Sequence, residues 1–435
     1  MNADIPTGRL RRTLSSGRMA ARIGGNQVRY LVKRPFLSGD AQDASRQERD
    51  AENARILFQG LSLLRGTALK AAQMLSFERE LLPEAVQQEL EKSYHQVPPI
   101  NRALVRRMIV RGLGAPPEDL FDEFDTTAFA AASLGQVHKA RSRKGKLLAV
   151  KVQYPDMRKT IDSDIRMLYG LVRPMPDYRL LKTALDEIRE VLAAETDYMR
   201  EAQNIRFFRD RLDMDRVIVP DTVPELSTDR ILTMSFVEGQ VLSQWLKTGP
   251  DRESRNRVAQ TLNDIFIRGF YELNLIHADP NPGNFLVREN LDIGLLDFGC
   301  VRSVRPDFVD QYRALIRLGG SGKRDAYNTL LMDMKFLPGD LAPGVHKEML
   351  SLFMEMGSWV NQLFRSEYFD FREHPDFMAR GRQIGSRFQK LRRHLKELPP
   401  EFVFLDRTRY GLIRLYEKMG VKIRIRNRYE CNDDI

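Results

Sequence analysis

Cysteine is almost absent: two residues in 435, Cys300 and Cys431, with no Cys-x-x-Cys pair. That speaks against a disulfide scaffold or a structural zinc site and suits a reducing compartment. Long apolar runs are missing too, and none approaches the ~18–20 residues of a membrane-spanning helix. The opening stretch MNADIPTGRLRRTLSSGRMAARIGG has no apolar signal-peptide core. It is Arg-rich and acid-poor, as organelle transit peptides are, although Asp4 and Pro6 run against that pattern. The expectation is a cytoplasmic chain without a transmembrane helix. Internal repeats, low-complexity tracts, zinc fingers and aromatic-interleaved RNA motifs are all lacking, so nucleic acid is not an expected partner.

Acidic residues are scarce over residues 1–36 and again over 406–428. Residues 1–36 hold Arg9, Arg11, Arg12, Arg18, Arg22, Arg29, Lys33 and Arg34 against Asp4 alone. Near the other end Arg407, Arg409, Arg414, Lys418, Lys422, Arg424, Arg426 and Arg428 face only Asp406 and Glu417. With a net charge of +10, such ends suit either a solvated basic tail or an anionic membrane surface.

What is present is a soluble composition, 42% apolar with mixed charge, on a chain too long for one core. Residues 45–95 read as helices. The first contains RGTALKAAQMLS, where Lys70 and Gln73 share a face one turn apart beside Ala71 and Ala72. On pattern alone that face is a solvated edge. Pro98 and Pro99 then break the chain, Asn101 is an N-cap, and Gly112 and Gly114 close a helix. Strands follow from Phe121, with Gln136–Ala140 and Leu147–Gln153 forming a hairpin across Ser142–Lys146. One long helical stretch spans Leu181–Arg211, and RILTMSFVEG is a further strand. NFLVRENLDIGLLDFG is a second hairpin turning at Arg288–Asn290. The remainder reads as helical.

The second half carries HADPNPGN (His277–Asn284) and LLDFGC (Leu295–Cys300). Asp279 and Asn284 stand five apart, and with Asp297 they make an oxygen-rich set suited to Mg²⁺, which keeps substrate phosphates in its shell. Protein-kinase catalytic loops have the same Asp-to-Asn spacing followed by Asp-Phe-Gly. A kinase then requires a strand lysine, met by Lys151 in LLAVKVQ. It also requires an acidic helix, met by Glu195, Asp197 and Glu201, and a phosphate-covering hairpin. The hairpin position is held by FAAASLGQVHKA, where Ala130, Ala131, Ala132 and Ser133 replace the usual glycines. Alanine is less free than glycine to take positive φ, which weakens the ordinary phosphate grip. Taken singly, each element has a plain alternative: an edge-strand lysine, a solvated acidic helix face, an Asp-Pro turn. Their shared order is what specifies the chemistry.

Over residues 50–430 the sequence resembles the ABC1/UbiB family of atypical kinases, also called the AarF-domain or COQ8 family. The resemblance rests on AAAS (Ala130–Ser133), AVKVQ with Lys151, Glu195-Thr196-Asp197 as the ExD motif, HADPNPGN and DFG. RGTALKAAQ stands where the family has KxGQ, and with MKFLPG (Met334–Gly339) it is most similar to the coenzyme Q-linked branch. Two departures stand out: Ala72 replaces the KxGQ glycine, and Asn281 replaces the second histidine of HxDxHPGN.

The resemblance implies an α+β, protein-kinase-like bilobal fold with an N-terminal helical extension over the active site. The expected divisions are a basic N-terminus (1–44), the extension (45–115), an N-lobe (116–238) and a helical C-lobe (239–435). Lys151 would hold nucleotide phosphates and pair with Glu201, and Ala130–Ser133 would cover the phosphates. Met234, Val237 and Glu238 would meet adenine. Asp279 and Asn284, with Lys151, would be catalytic, and Asn284 and Asp297 would ligate metal. Lys70 and Gln73 would approach Glu195 and Asp197 as a lid. The implied cofactors are ATP or ADP with Mg²⁺. The implied function is an atypical kinase or ATPase supporting ubiquinone biosynthesis or isoprenoid-lipid homeostasis. Its implied partners are quinone-precursor lipids, an anionic membrane surface, peripherally at the inner membrane, and lipid-biosynthetic proteins. A nucleotide-switched regulator or scaffold of such an assembly is the alternative.

Overall fold

The structure is a computed structural model. It describes residues 101–431 apart from Ser133, 174–177 and 392–398, together with eight isolated positions between Arg22 and Glu52. Of the helices expected over 45–95 only Ser45, Arg49 and Glu52 are described, each as helical; Lys70, Gln73 and Ser133 lie outside the described residues. The chain divides into two compact units: residues up to Gln203 with Thr222–Phe236, and Asn204–Asp221 with Val237–Ile435.

In the first unit, helix α1 (Arg102–Leu113) starts where Asn101 accepts a hydrogen bond from the Ala103 N–H at 2.9 Å. It stops at Gly114, whose φ of +81° is the left-handed cap that glycine tolerates. Gly112 serves a different end from the closing role expected of it. A Cβ there would lie 2.5 Å from Ile231 Cδ1, so it lets the helix sit close to the sheet. Helix α2 (Pro117–Leu120) leads into strands β1 (Glu123–Phe124), β2 (Ala130–Ala132), β3 (Gly135–Arg141) and β4 (Leu147–Gln153). With β6 (Ile231–Ser235) these make a five-stranded sheet in the order β1-β3-β4-β6, β2 pairing with β3 as well. Val105 and Ile109, one helical turn apart, are fully buried with Leu148, Val150 and Val152. The period of two in β4 sends those three residues to the core and leaves Ala149 and Lys151 on the other face.

Helix α3 (Met157–Val172) and helix α4 (Tyr178–Glu195) follow, then α5 (Tyr198–Arg211). The single stretch expected over Leu181–Arg211 is therefore two helices. The Thr196 hydroxyl donates to the Ala193 carbonyl at 2.7 Å, and the Asp197 carboxylate accepts from the Arg200 N–H at 3.0 Å. These short polar side chains satisfy backbone groups at a helix end and a helix start, and so make a break that apolar periodicity hides.

The second unit holds a four-stranded sheet, β5-β10-β9-β7, of Val217–Ile218, Ile293–Leu295, Phe285–Val287 and Gln240–Val241. A separate ribbon pairs β8 (Leu275–His277) with β11 (Val301–Ser303). The same unit holds helices α6 (Leu242–Trp245), α7 (Arg252–Tyr271), α8 (Pro306–Gly319), α9 (Arg324–Asp333), α10 (Pro343–Asn361), α11 (Phe377–Leu391) and α12 (Pro400–Met419). The tail beyond α12 is fixed by a buried pair. The Arg409 guanidinium donates twice to Glu430, once at 3.0 Å, and Tyr271 and Asn427 complete the carboxylate's bonds at 2.9 and 2.7 Å. No helix among the described residues is long and apolar enough to cross a membrane.

Candidate active site

In the first unit Lys151 stands mid-strand, opposite Val137 on β3 and Leu232 on β6. Its ammonium meets both carboxylate oxygens of Glu201 at 2.7 and 2.8 Å. The lysine side chain is 12% exposed and the glutamate 1%. A charge so deeply buried is tolerable only when paired, and the two-oxygen contact fixes where the ammonium sits. The Tyr198 ring lies 5.0 Å below that nitrogen.

Glu195 is buried at the end of α4 and Asp197 is half-buried at the start of α5. Between them the Thr196 carbonyl accepts a 2.9 Å hydrogen bond from Gln153, a buried amide two residues beyond Lys151. Gln153 was missed in the sequence. Its one signal is a polar residue closing an apolar strand.

Ala130–Ala132 form strand β2, with Ala132 opposite Gly135, and Leu134 lies in the turn before it. No described residue among them takes a positive φ. The hairpin expected at this position is present, with Ala130–Ala132 as its first strand and Gly135–Arg141 as its second. Glycine appears at the exit of the turn instead: a Cβ on Gly135 would come within 2.3 Å of the Val152 carbonyl oxygen. Met234 is buried on β6 opposite Ala149.

In the second unit Val237 packs against Gly294, and Glu238 is exposed. Asp279 follows β8 and is buried. The Asn284 amide donates to its carbonyl at 3.4 Å. Asn281, a departure from the family pattern, caps the turn Pro282–Asn284 by accepting from the Gly283 N–H at 2.9 Å. Phe285 pairs with Leu295, and the Leu296 N–H donates to the Asn284 carbonyl at 3.1 Å. Asn284 and Asp297 thus leave the same end of one hairpin. The Asp297 carboxylate accepts from the Gly299 N–H at 2.9 Å, while His277 Nε2 bonds the Asp297 carbonyl. These donors are hard oxygens, as Mg²⁺ requires, so the residues present fit that ion.

The family model of the ABC1 atypical kinase-like domain matches residues 92–319, more than half of the chain. The protein named atypical kinase COQ8B, mitochondrial, of Rattus norvegicus is 31% identical over 342 residues, 77% of this chain and 64% of that protein's length. The chain thus spans under two thirds of that relative. Atypical kinase COQ8, mitochondrial, of Saccharomyces cerevisiae is 28% identical over 97% of this chain and 84% of its own. A solved complex of Rv3197 with erythromycin from Mycobacterium tuberculosis superposes with a TM-score of 0.59 at 25% identity, covering 89% of this chain and 96% of that one. The α+β architecture is therefore kinase-like, a class that implies nucleotide binding, and the chain belongs to the ABC1 atypical kinase-like family.

Proposed function

We propose that the protein is an atypical kinase or ATPase using ATP with Mg²⁺ in support of ubiquinone biosynthesis or isoprenoid-lipid homeostasis. The observation that carries this reading is the buried pair, at 2.7 and 2.8 Å, between Lys151 in mid-strand and Glu201 on helix α5. An ammonium held that firmly is a preset counter-charge for phosphate oxygens. Bound Mg²⁺ would neutralise the charge that develops on the transferring phosphoryl group. Asn284 and Asp297 would supply its protein oxygens. Asp279 would accept the proton of the attacking hydroxyl or orient a water. Met234, Val237 and Glu238 would line the adenine edge, and β2 (Ala130–Ala132) with Ser133 would cover the phosphates.

Lys70 and Gln73 would serve as lid residues facing Glu195 and Asp197, which disfavours a protein acceptor and favours a small, lipid-related one. The relatives named COQ8 support the link to the coenzyme Q pathway. Basic termini support peripheral contact with an anionic inner-membrane surface and with lipid-biosynthetic partners.

ATP hydrolysis with and without anionic liposomes and a phenolic quinone precursor, for wild type, Asp279→Asn and Lys70→Ala, tests this. Turnover in the wild type that Asp279→Asn abolishes supports it. Equal silence of both proteins, with nucleotide still raising the melting temperature, replaces it with a nucleotide-switched scaffold. Unchanged turnover and product in Lys70→Ala removes the lid.

A further inference from the structure

Asp297 is useful to a metal only if its carboxylate points one way, yet it sits between Leu296 and Phe298-Gly299, a segment that a glycine makes free to turn. Two side chains hold the segment by its carbonyls. His277 takes that of Asp297, and the Asn204 amide donates to that of Phe298 at 2.9 Å. Asn204 lies on α5, four residues before Phe208, so both face the same way. The Phe208 ring packs edge-on against the fully buried Phe298 ring at 5.4 Å. One helical turn therefore grips Phe298 by backbone and by ring. Glu201, the partner of Lys151, is three residues earlier on the same helix.

We propose that Asn204 is a positioning residue: its amide fixes the Phe298-Gly299 peptide and thereby aims the Asp297 carboxylate. This deepens the kinase reading and rests on it for the role of Asp297. A ring contact alone leaves the peptide plane free to rotate about Phe298. A hydrogen bond to the carbonyl removes that rotation, and the Gly299 N–H is then directed at Asp297 Oδ1, 2.9 Å away. The Phe298 carbonyl also accepts from Val301 N–H at 3.4 Å, a long contact that holds less firmly than the amide. Asn204 was legible only as one polar residue among many in YMREAQNIRFF.

Asn204→Leu removes the donor while keeping the branched shape of the side chain. Asn204→Asp keeps the shape and turns an acceptor toward the carbonyl. In the full-length, nucleotide-free protein, hydrogen exchange at the Gly299 and Val301 amides should quicken about five- to tenfold, the weight of one neutral hydrogen bond. Exchange in α10 should not change. The Mg²⁺ concentration for half-maximal ATP binding should rise by a similar factor while ATP affinity in EDTA holds, and kcat should fall with KM for ATP unchanged. Exchange within twofold of wild type at Gly299 and Val301 in both variants overturns the proposal. So does an equal loss of metal-free and metal-dependent ATP affinity, which marks general loosening. A wild type that binds no ATP sinks the kinase reading instead, and the exchange rates still decide whether Asn204 holds the segment.

Discussion

Lys151 and Glu201 show how a single strand position comes to hold a buried charge. Val137 and Leu232 flank the lysine on neighbouring strands, so its charge stands on a sheet whose other face is the apolar core. Lys151→Met strands a carboxylate that is 1% exposed, and a loss of about 3–5 kcal/mol is expected in denaturant melts. Lys151→Met with Glu201→Met should recover much of that loss while leaving nucleotide binding abolished, which separates folding from function. His138 gives a pH dependence. It is fully buried against Phe124, ring centroids 5.2 Å apart, and bonded to Gln136 and the Asp125 carbonyl. Burial holds its pKa below the usual imidazole value. The unfolded chain therefore binds the proton more readily, so stability is full above about pH 6.5 and falls as the pH drops below it. His138→Phe should flatten that acid limb of the Tm profile. A limb unchanged by the substitution assigns it to other groups.

The elements show which parts of the chain announce themselves. The β3–β4 hairpin and the Asn101 and Gly114 caps were legible because their signals are local: alternation, a Gly-containing turn, a capping side chain, a left-handed glycine. The break at Thr196–Asp197 was not, because the apolar stripe runs on through both helices and only two short side chains interrupt it. The alanine tract was also ambiguous, since alanine suits helix, strand and turn alike. Its pairing with Gly135–Val137 settles it as a strand. Among the candidate site residues, those named in the sequence carry a motif spacing, whereas Gln153 and Asn204 bond backbone carbonyls distant in sequence and leave no spacing to read. At this scale Gly135→Ala should cost about 1–3 kcal/mol, because the new methyl meets backbone oxygen that cannot swing away. Gly145→Ala, with open space around it, should cost only the strain of a positive φ, about 1 kcal/mol. Urea midpoints for the two variants compare these costs directly.

For the molecule as a whole, Arg409 and Glu430 decide whether the last residues belong to the fold. Both are buried, and Tyr271, Tyr312 and Asn427 converge on them. The tyrosines' hydroxyls are pushed well above their ordinary pKa by burial, to about 12 for Tyr312, so they stay neutral. Glu430→Gln leaves a buried guanidinium without its counter-charge and should cost about 3 kcal/mol or more. In a unit of this size that is a fall of roughly 6–12 °C in melting temperature. A fall of under a degree assigns the tail's attachment to its backbone hydrogen bonds, such as those from Arg317 to the carbonyls of Arg428 and Cys431.

Asn284 and Asp297 emerging from one end of a short ladder has a consequence for how this chain tolerates insertions. What sets the gap between the two is the pairing of Phe285–Val287 with Ile293–Leu295, and the length of chain between them plays no part. Residues added to the turn at Arg288–Asp292 lengthen a loop at the far end and should leave the pair as it is. One residue added within Ile293–Leu295 reverses the strand's two faces and carries Asp297 to the wrong side. The turn is a place where a tag or a probe can be carried at little cost to the site, and the strand beside it is not.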